Sequence, residues 1–151
     1  MGEYQKPLPN VNGDNQIFWD GCKQHQLKFQ KCGACGHVRW PASVVCPQCH
    51  GRAVEWIIAD GKGTIYTFVV YHVAYHPGFQ DDLPYVVADV ELAEGPHLLS
   101  NIVGCRTDQV RCDMPVEVIW EAITDAFTIP KFRPASSNDD NLHENRGDIV
   151  A

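Results

Sequence analysis

From Lys31 to Gly51 the chain reads KCGACGHVRWPASVVCPQCHG. Two Cys-x-x-Cys pairs, Cys32 with Cys35 and Cys46 with Cys49, stand ten residues apart. Tetrahedral zinc takes four donors, with thiolates at about 2.3 Å, and two such knuckles closed by a hairpin bring four sulfurs to one point. Gly33 and Gly36 at the first knuckle, and Gly51 just past the second, are expected to supply the positive-φ turns that let backbone wrap the sulfurs. A shell of four thiolates is closed and leaves no position for a catalytic water, so the expected role of the metal is structural. A thioredoxin-like dithiol would want one pair in a βαβ setting, which this stretch lacks. Rubredoxin-type iron uses the same four ligands, so the spacing leaves both metals open, with zinc leading. His37 and His50 flank the knuckles and are expected to be solvated or to support the ligands.

Seven cysteines form no even disulfide framework, and the opening MGEYQKPLPNVNGDN has no hydrophobic signal core. No apolar run approaches the length of a membrane span. A cytoplasmic protein that does not engage membranes is expected.

Upstream of the knuckles, the first dozen residues are polar with Pro7 and Pro9 and read as an irregular arm. Asp14 is placed to cap a short helix through NQIFWDGCKQHQ, with Phe18, Cys22 and His25 aligned on one face. LKFQKC alternates and leads into the first cysteine pair as a strand.

Downstream come five strand-like runs, AVEWIIA, GTIYTFVVYHVA, YVVADVEL, HLLSNIV and MPVEVIWEAI, separated by turn-rich breaks. Five short strands in a compact region fit a small barrel of the OB type. YVVADVEL puts Val86, Ala88, Val90 and Leu92 on one face and is expected to be half-buried. TIYTFVVYHV carries apolar or aromatic residues on both faces, with Ile65 and Val69 on one and Tyr66 and Phe68 on the other. Its second face must be covered by a helix of this chain or by a partner. The expected architecture is mainly β: an arm and helix over 1–30, a rubredoxin-like zinc ribbon over 31–52, a five-stranded OB-fold barrel over 53–134 and a polar tail over 135–151.

Charge separates along the chain. Through Lys62 there are seven Lys/Arg against five Asp/Glu, and from Gly63 onward five against fourteen. A nucleic-acid binder carries a basic stripe on its binding face, so no nucleic acid is expected as the main ligand. The thiols outside the ribbon are Cys22, Cys105 and Cys112. A catalytic thiol needs a nearby base and oxyanion donors, and neither is visible around these three. Cys22 falls on the apolar helix face as a small core residue.

The ordered set FWDG from Phe18, the paired knuckles, GKGTIYTFVV, YVVADVEL, MPVEVIW and KFRP from Lys131 resembles a known family. These are the zinc-ribbon plus OB-fold proteins associated with acyl-CoA metabolism, and the resemblance covers about Gln16 to Pro134. Where the family has an aliphatic residue and a glycine before MPV, this chain has Cys112 and Asp113, and Asp can hold the left-handed turn at some cost. The resemblance implies a non-catalytic companion of a thiolase-like protein or thiolase-like aldolase that helps bind acyl-CoA or CoA and shape the partner's site. Within the family the chain most resembles the small subunit of a benzylsuccinate-pathway thiolase, which implies aromatic acyl-CoA thiolysis in anaerobic toluene breakdown. Arg39, Arg52 and Lys62 are the cations expected to meet CoA phosphates. Trp40, Tyr71 and Phe79 are expected to contact ligand or partner, and the segment GHVRWPASVV between the knuckles is free to do the same. The competing functions are a nucleic-acid module built from the same two folds and a stand-alone acyl-CoA carrier.

Overall fold

The computed structural model describes residues 3–136. The tail expected over 135–151 lies outside the described residues beyond position 136, and so do Asp139 and Asp140.

Helix α1 spans Gln16–Lys23. Asn15, not Asp14, is its cap, and the turn before it is held by side chains. Asn12 Oδ1 accepts from the N–H groups of Asp14 and Asn15, and Asn15 Oδ1 accepts from Asn12 N–H at 2.8 Å. An Asx-type turn here competes with the simple Asp cap and wins. Phe18 and Cys22 are fully buried as their spacing predicts, but His25 lies past the helix at φ 57° and stacks on Trp120.

The alternating LKFQKC forms β1 (Leu27–Cys32), which pairs antiparallel with β2 (Val38–Arg39) on one side and β3 (Val54–Ala59) on the other. The run AVEWIIA, counted above among the barrel strands, therefore belongs to the ribbon's three-stranded sheet. Its partner is chosen by register: all six residues of β1 pair with β3, from Leu27 opposite Ala59 to Cys32 opposite Val54.

The barrel is closed by β4 (Lys62–Tyr71), β5 (Tyr85–Leu92), β6 (His97–Ile102), β7 (Pro115–Ala122) and β8 (Thr128–Pro134), in the order β4-β5-β6-β8-β7. The fifth strand is thus the KFRP segment. The five-stranded closed barrel after a helix and a four-cysteine ribbon is the architecture expected from the sequence. Val86, Ala88, Val90 and Leu92 are buried on one face of β5, and Ile65, Val116 and Phe132 fill the interior with them.

The two-faced strand resolves through a bulge. Ile65 pairs with Val90 and Thr67 with Asp89, so Tyr66 is an extra residue that flips the alternation. Ile65 therefore points inward while Phe68 and Val70 pack on the core beyond the bulge, and Val69 faces out at 53% exposure.

The N-terminal arm lies on the 3-10 helix Pro77–Asp82 in the loop between β4 and β5. Lys6 is ion-paired with Asp82 and stands 5.3 Å from the Phe79 ring centroid. A Cβ on Gly78 would come 2.7 Å from the Gln5 carbonyl, so the close approach requires glycine.

Candidate metal centre and ligand-facing surfaces

The ribbon hairpin gathers the sulfurs of Cys32, Cys35, Cys46 and Cys49 within 4.8 Å of one another. Cys32 Sγ to Cys49 Sγ is 3.6 Å and Cys35 Sγ to Cys46 Sγ is 3.7 Å. A tetrahedron with arms of about 2.3 Å has edges of about 3.8 Å, so the four thiols fit one tetrahedral metal ion. Disulfides would need sulfurs about 2.05 Å apart. Backbone donors already face the sulfurs: Ala34 and Cys35 N–H toward Cys32 at 3.4 and 3.5 Å, and Gly51 N–H toward Cys49 at 3.4 Å.

These N–H groups set the acidity of the thiols. Cys35 N–H, then Ala34 N–H, hold Cys32 down at about 6. The His37 N–H acts the same way on Cys35, but burial and the sulfurs of Cys49, Cys46 and Cys32 outweigh it and push that thiol up to about 11. A bound divalent metal deprotonates such thiols by coordination.

The knuckle glycines divide their work differently from the expectation. Gly36 turns at φ 76°, but at the second knuckle the left-handed residue is His50 at φ 60°. Gly51 leaves room at the sulfur, since a Cβ there would come within 3.2 Å of Cys49 Sγ.

The six residues expected to meet CoA or a partner are not gathered at one place. Arg39 is 5% exposed, its Nη2 donates to the Ser43 carbonyl at 2.9 Å, and its Nε and Nη1 are buried without partners among the described residues. Arg52 and Lys62 are exposed. Trp40 packs on Phe18 with ring centroids 4.0 Å apart. Tyr71 stacks on Tyr85 at 5.1 Å, and Phe79 lies over the same ring at 5.5 Å.

Two adjoining cavities separate α1 and the arm from the barrel. The larger, about 560 Å³, lies beneath the arm between Leu8, Trp19, Phe79, Ile102 and Ile129. The second, about 420 Å³, opens along the barrel's thinnest seam, where β6 and β8 run parallel and pair only at Ile102 with Phe132. Trp40 and Pro41 form its ribbon wall, and Leu98 and Pro130 its barrel wall. Trp19 borders both cavities, and its indole N–H is buried with no partner among the described residues. Sequence reasoning passed over Trp19. The quoted FWDG contained it, but nothing local distinguishes a seam-lining tryptophan from a core one.

Outside the ribbon, two of the three thiols are disfavoured as thiolates. Burial pushes Cys22 up to about 12, and burial also raises Cys105, which borders the larger cavity. Cys112 is exposed. Nucleophilic thiols are thiolates at working pH. Among the described residues no helix is long and apolar enough to cross a membrane.

Two family models match the chain in sequence: ChsH2, rubredoxin-like zinc ribbon domain, over residues 19–55, and ChsH2, C-terminal OB-fold domain, over 56–121. Among solved structures, a chain of the "Ltp2-ChsH2(DUF35) aldolase" is 39% identical with a TM-score of 0.79, covering 85% of this chain and 100% of that one. A "Probable enoyl-CoA hydratase alpha subunit" from Thermomonospora curvata is 39% identical over 130 residues, 86% of this chain. The chain spans 40% of that relative's length, and 35% of a second hydratase alpha subunit from Mycobacterium tuberculosis. A "DUF35 domain-containing scaffold protein" from Methanothermobacter thermautotrophicus is 34% identical, covering 67% of this chain and 76% of its own. "Benzoylsuccinyl-CoA thiolase subunit BbsA" from Thauera aromatica is more distant, at 26% identity over 66% of each chain.

Proposed function

This chain belongs to the ChsH2 (DUF35) family, in which a rubredoxin-like zinc ribbon precedes an OB-fold domain, and from that premise we propose that it is a non-catalytic subunit of a thiolase-type or thiolase-like aldolase complex. It helps bind or position an acyl-CoA thioester, and the partner carries the nucleophile and the acid–base groups. The observation that carries this is the match, at 39% identity over 85% of this chain and all of the other, to a chain of the "Ltp2-ChsH2(DUF35) aldolase".

The chain's own chemistry agrees with that division of labour. Its clustered sulfurs suit a closed metal shell, and Cys22 is a buried thiol whose thiolate is disfavoured by burial. We take the metal to be zinc, which fits four thiolates and does no redox chemistry. Metal analysis of the purified protein should find one zinc per chain, and stoichiometric iron instead would overturn that assignment.

Cavities of about 560 and 420 Å³ are of ligand size. Their apolar walls suit an acyl chain, with Trp40 and Phe79 at their borders, while exposed Arg52 and Lys62 are the cations left for CoA phosphates. The narrower substrate class, aromatic acyl-CoA thioesters of toluene breakdown, has one support, the 26% identity to BbsA. The relatives at 39% carry hydratase and aldolase names, which favours the broader statement.

The test is co-expression with each thiolase-like protein of the source genome. One such pair should elute together on gel filtration and cleave or condense acyl-CoA only together. Full activity of each of those proteins alone, with no complex, defeats the proposal.

A further inference from the structure

The outer face of β4, β5 and β6 lies apart from the metal centre and borders the cavities under the arm, which Phe79, Tyr85, Leu99 and Asn101 also line. In an OB-fold the middle strands and their end loops form the face that takes oligonucleotides or oligosaccharides. Register sets three rows across it: Tyr71 beside Tyr85, Val69 beside Val87 and Asn101, and Thr67 beside Asp89 and Leu99. The 72–84 loop extends the first row with Tyr75 and Phe79, enclosing a basin of about 420 Å³ against Tyr71 and Tyr85. Leu99 is 72% exposed and Tyr75 84%. A contiguous apolar patch of this kind marks an interaction site.

The charge of the same segment says what covers it. From Gly63 to Cys105 there is no lysine or arginine, against the five carboxylates Asp81, Asp82, Asp89, Glu91 and Glu94. Asp89 sits within the rows and holds the His97 ring at 2.9 Å, and Glu91 is exposed one row on. Lys6 reaches this side from the arm but is ion-paired with Asp82. A polyanion, whether nucleic acid or the phosphates of CoA, meets only repulsion on such a face. An apolar protein surface edged by lysines and arginines meets both halves of its requirement.

We propose that this face is the docking surface for the thiolase-like subunit, whose complementary patch is apolar and ringed by basic side chains. Leu99 and Val69 are its apolar seats, and Asp81 and Glu91 belong to its acidic rim. The proposal rests on the functional reading above.

The experiment uses the full chain and the thiolase-like protein of the same genome that co-elutes with it, with binding followed by interferometry at low and high salt. Leu99→Asp, checked for an unchanged melt and metal content, should weaken binding by about 30-fold. Ile58→Asp, at a residue 59% exposed on the ribbon sheet, should leave it within about threefold. Asp81→Lys combined with Glu91→Lys should slow association roughly tenfold at low salt, and the difference should shrink at high salt. If the wild-type complex forms but Ile58→Asp abolishes it and Leu99→Asp does not, the docking surface is the ribbon and this assignment falls while the subunit function stands. A wild-type dimer of the isolated chain that Leu99→Asp dissolves would make the face a self-interface and overturn it equally. No wild-type complex at all removes both the surface and the function.

Discussion

Asp113 turns the backbone left-handed at φ 64°, donating its N–H to the Ile65 carbonyl at 2.7 Å while Ile65 N–H donates to the Met114 carbonyl at 3.0 Å. The resemblance expects glycine there, and the turn survives because two backbone bonds to β4 hold it. A side chain in this region costs roughly 1 kcal/mol, less for Asp than for most residues. Asp113→Gly is therefore expected to gain up to about 0.5 kcal/mol, after the entropy glycine adds to the unfolded chain. A thermal melt below that of the wild type would show that the aspartate contributes something else. Cys22 makes a second prediction, in alkali. Its thiol rises from 9.0 to about 12 on folding, because burial disfavours the thiolate. The unfolded chain therefore loses that proton first, so the contribution is intact below pH 9 and fades as pH rises from 9 toward 12. At pH 10 the wild type should have lost about 1.4 kcal/mol through this group, a loss that Cys22→Ala lacks. Denaturant titrations of both proteins across that range decide it, and parallel profiles would refute the assignment. The core role of Cys22 was legible from its helical spacing with Phe18. The buried state of Arg39 was not, since it depends on the 41–45 loop folding back so that the Ser43 carbonyl meets the guanidinium.

Elements meet at Asp60 and Gly61, where β3 of the ribbon sheet passes into β4 of the barrel. Gly61 has φ 79°, its carbonyl accepts from Val118 N–H of β7 at 2.8 Å, and a Cβ would come 2.3 Å from Val118 Cγ1. Gly61→Ala is therefore strained twice, by conformation and by overlap, and should cost about 2–4 kcal/mol. Urea unfolding measures it, and a loss below about 0.5 kcal/mol would mean that β7 yields easily. Periodicity identified β5 and its buried face, and the OB barrel was legible from strand number and turn spacing. Two features escaped it for a common reason. Assigning AVEWIIA to the ribbon sheet depends on pairing with β1 across more than twenty residues, and the bulge at Tyr66 appears only when β4 is laid against β5. Sequence alternation describes one strand at a time, and both decisions are made by two. KFRP stands out in the sequence as a motif but not as a strand, because Pro130 and Pro134 interrupt its pattern. As β8 it nevertheless donates from Val118-facing Phe132 into the core, with the prolines at Trp120 and Val116.

Across the whole molecule the ribbon and the barrel share one buried cluster. Phe18 and Cys22 of α1, Leu27 and Phe29 of β1 and Ala59 of β3 are continuous in it with the barrel residues, and Trp40 packs against it. A ribbon of this size cannot bury enough apolar surface to stand alone, and a metal held by its four sulfurs would supply the missing folding energy. Structural zinc contributes roughly 10–16 kcal/mol in isolated fingers, as much as the entire stability of an ordinary domain. Removing it should free β1 and β3, uncover Phe18 and Phe29, and take the seam between β6 and β8 with them. Cys46→Ser, or a strong chelator acting on the wild type, is accordingly expected to lower the melting of barrel and ribbon together. Calorimetry should show one transition with metal and one, at lower temperature, without. Acid should act in the same direction, because protons compete for the sulfurs as pH falls. A barrel transition that stays at its original temperature after metal loss would mean that the shared cluster does not couple the two halves, and that the ribbon is an appendage rather than half of a single folding unit.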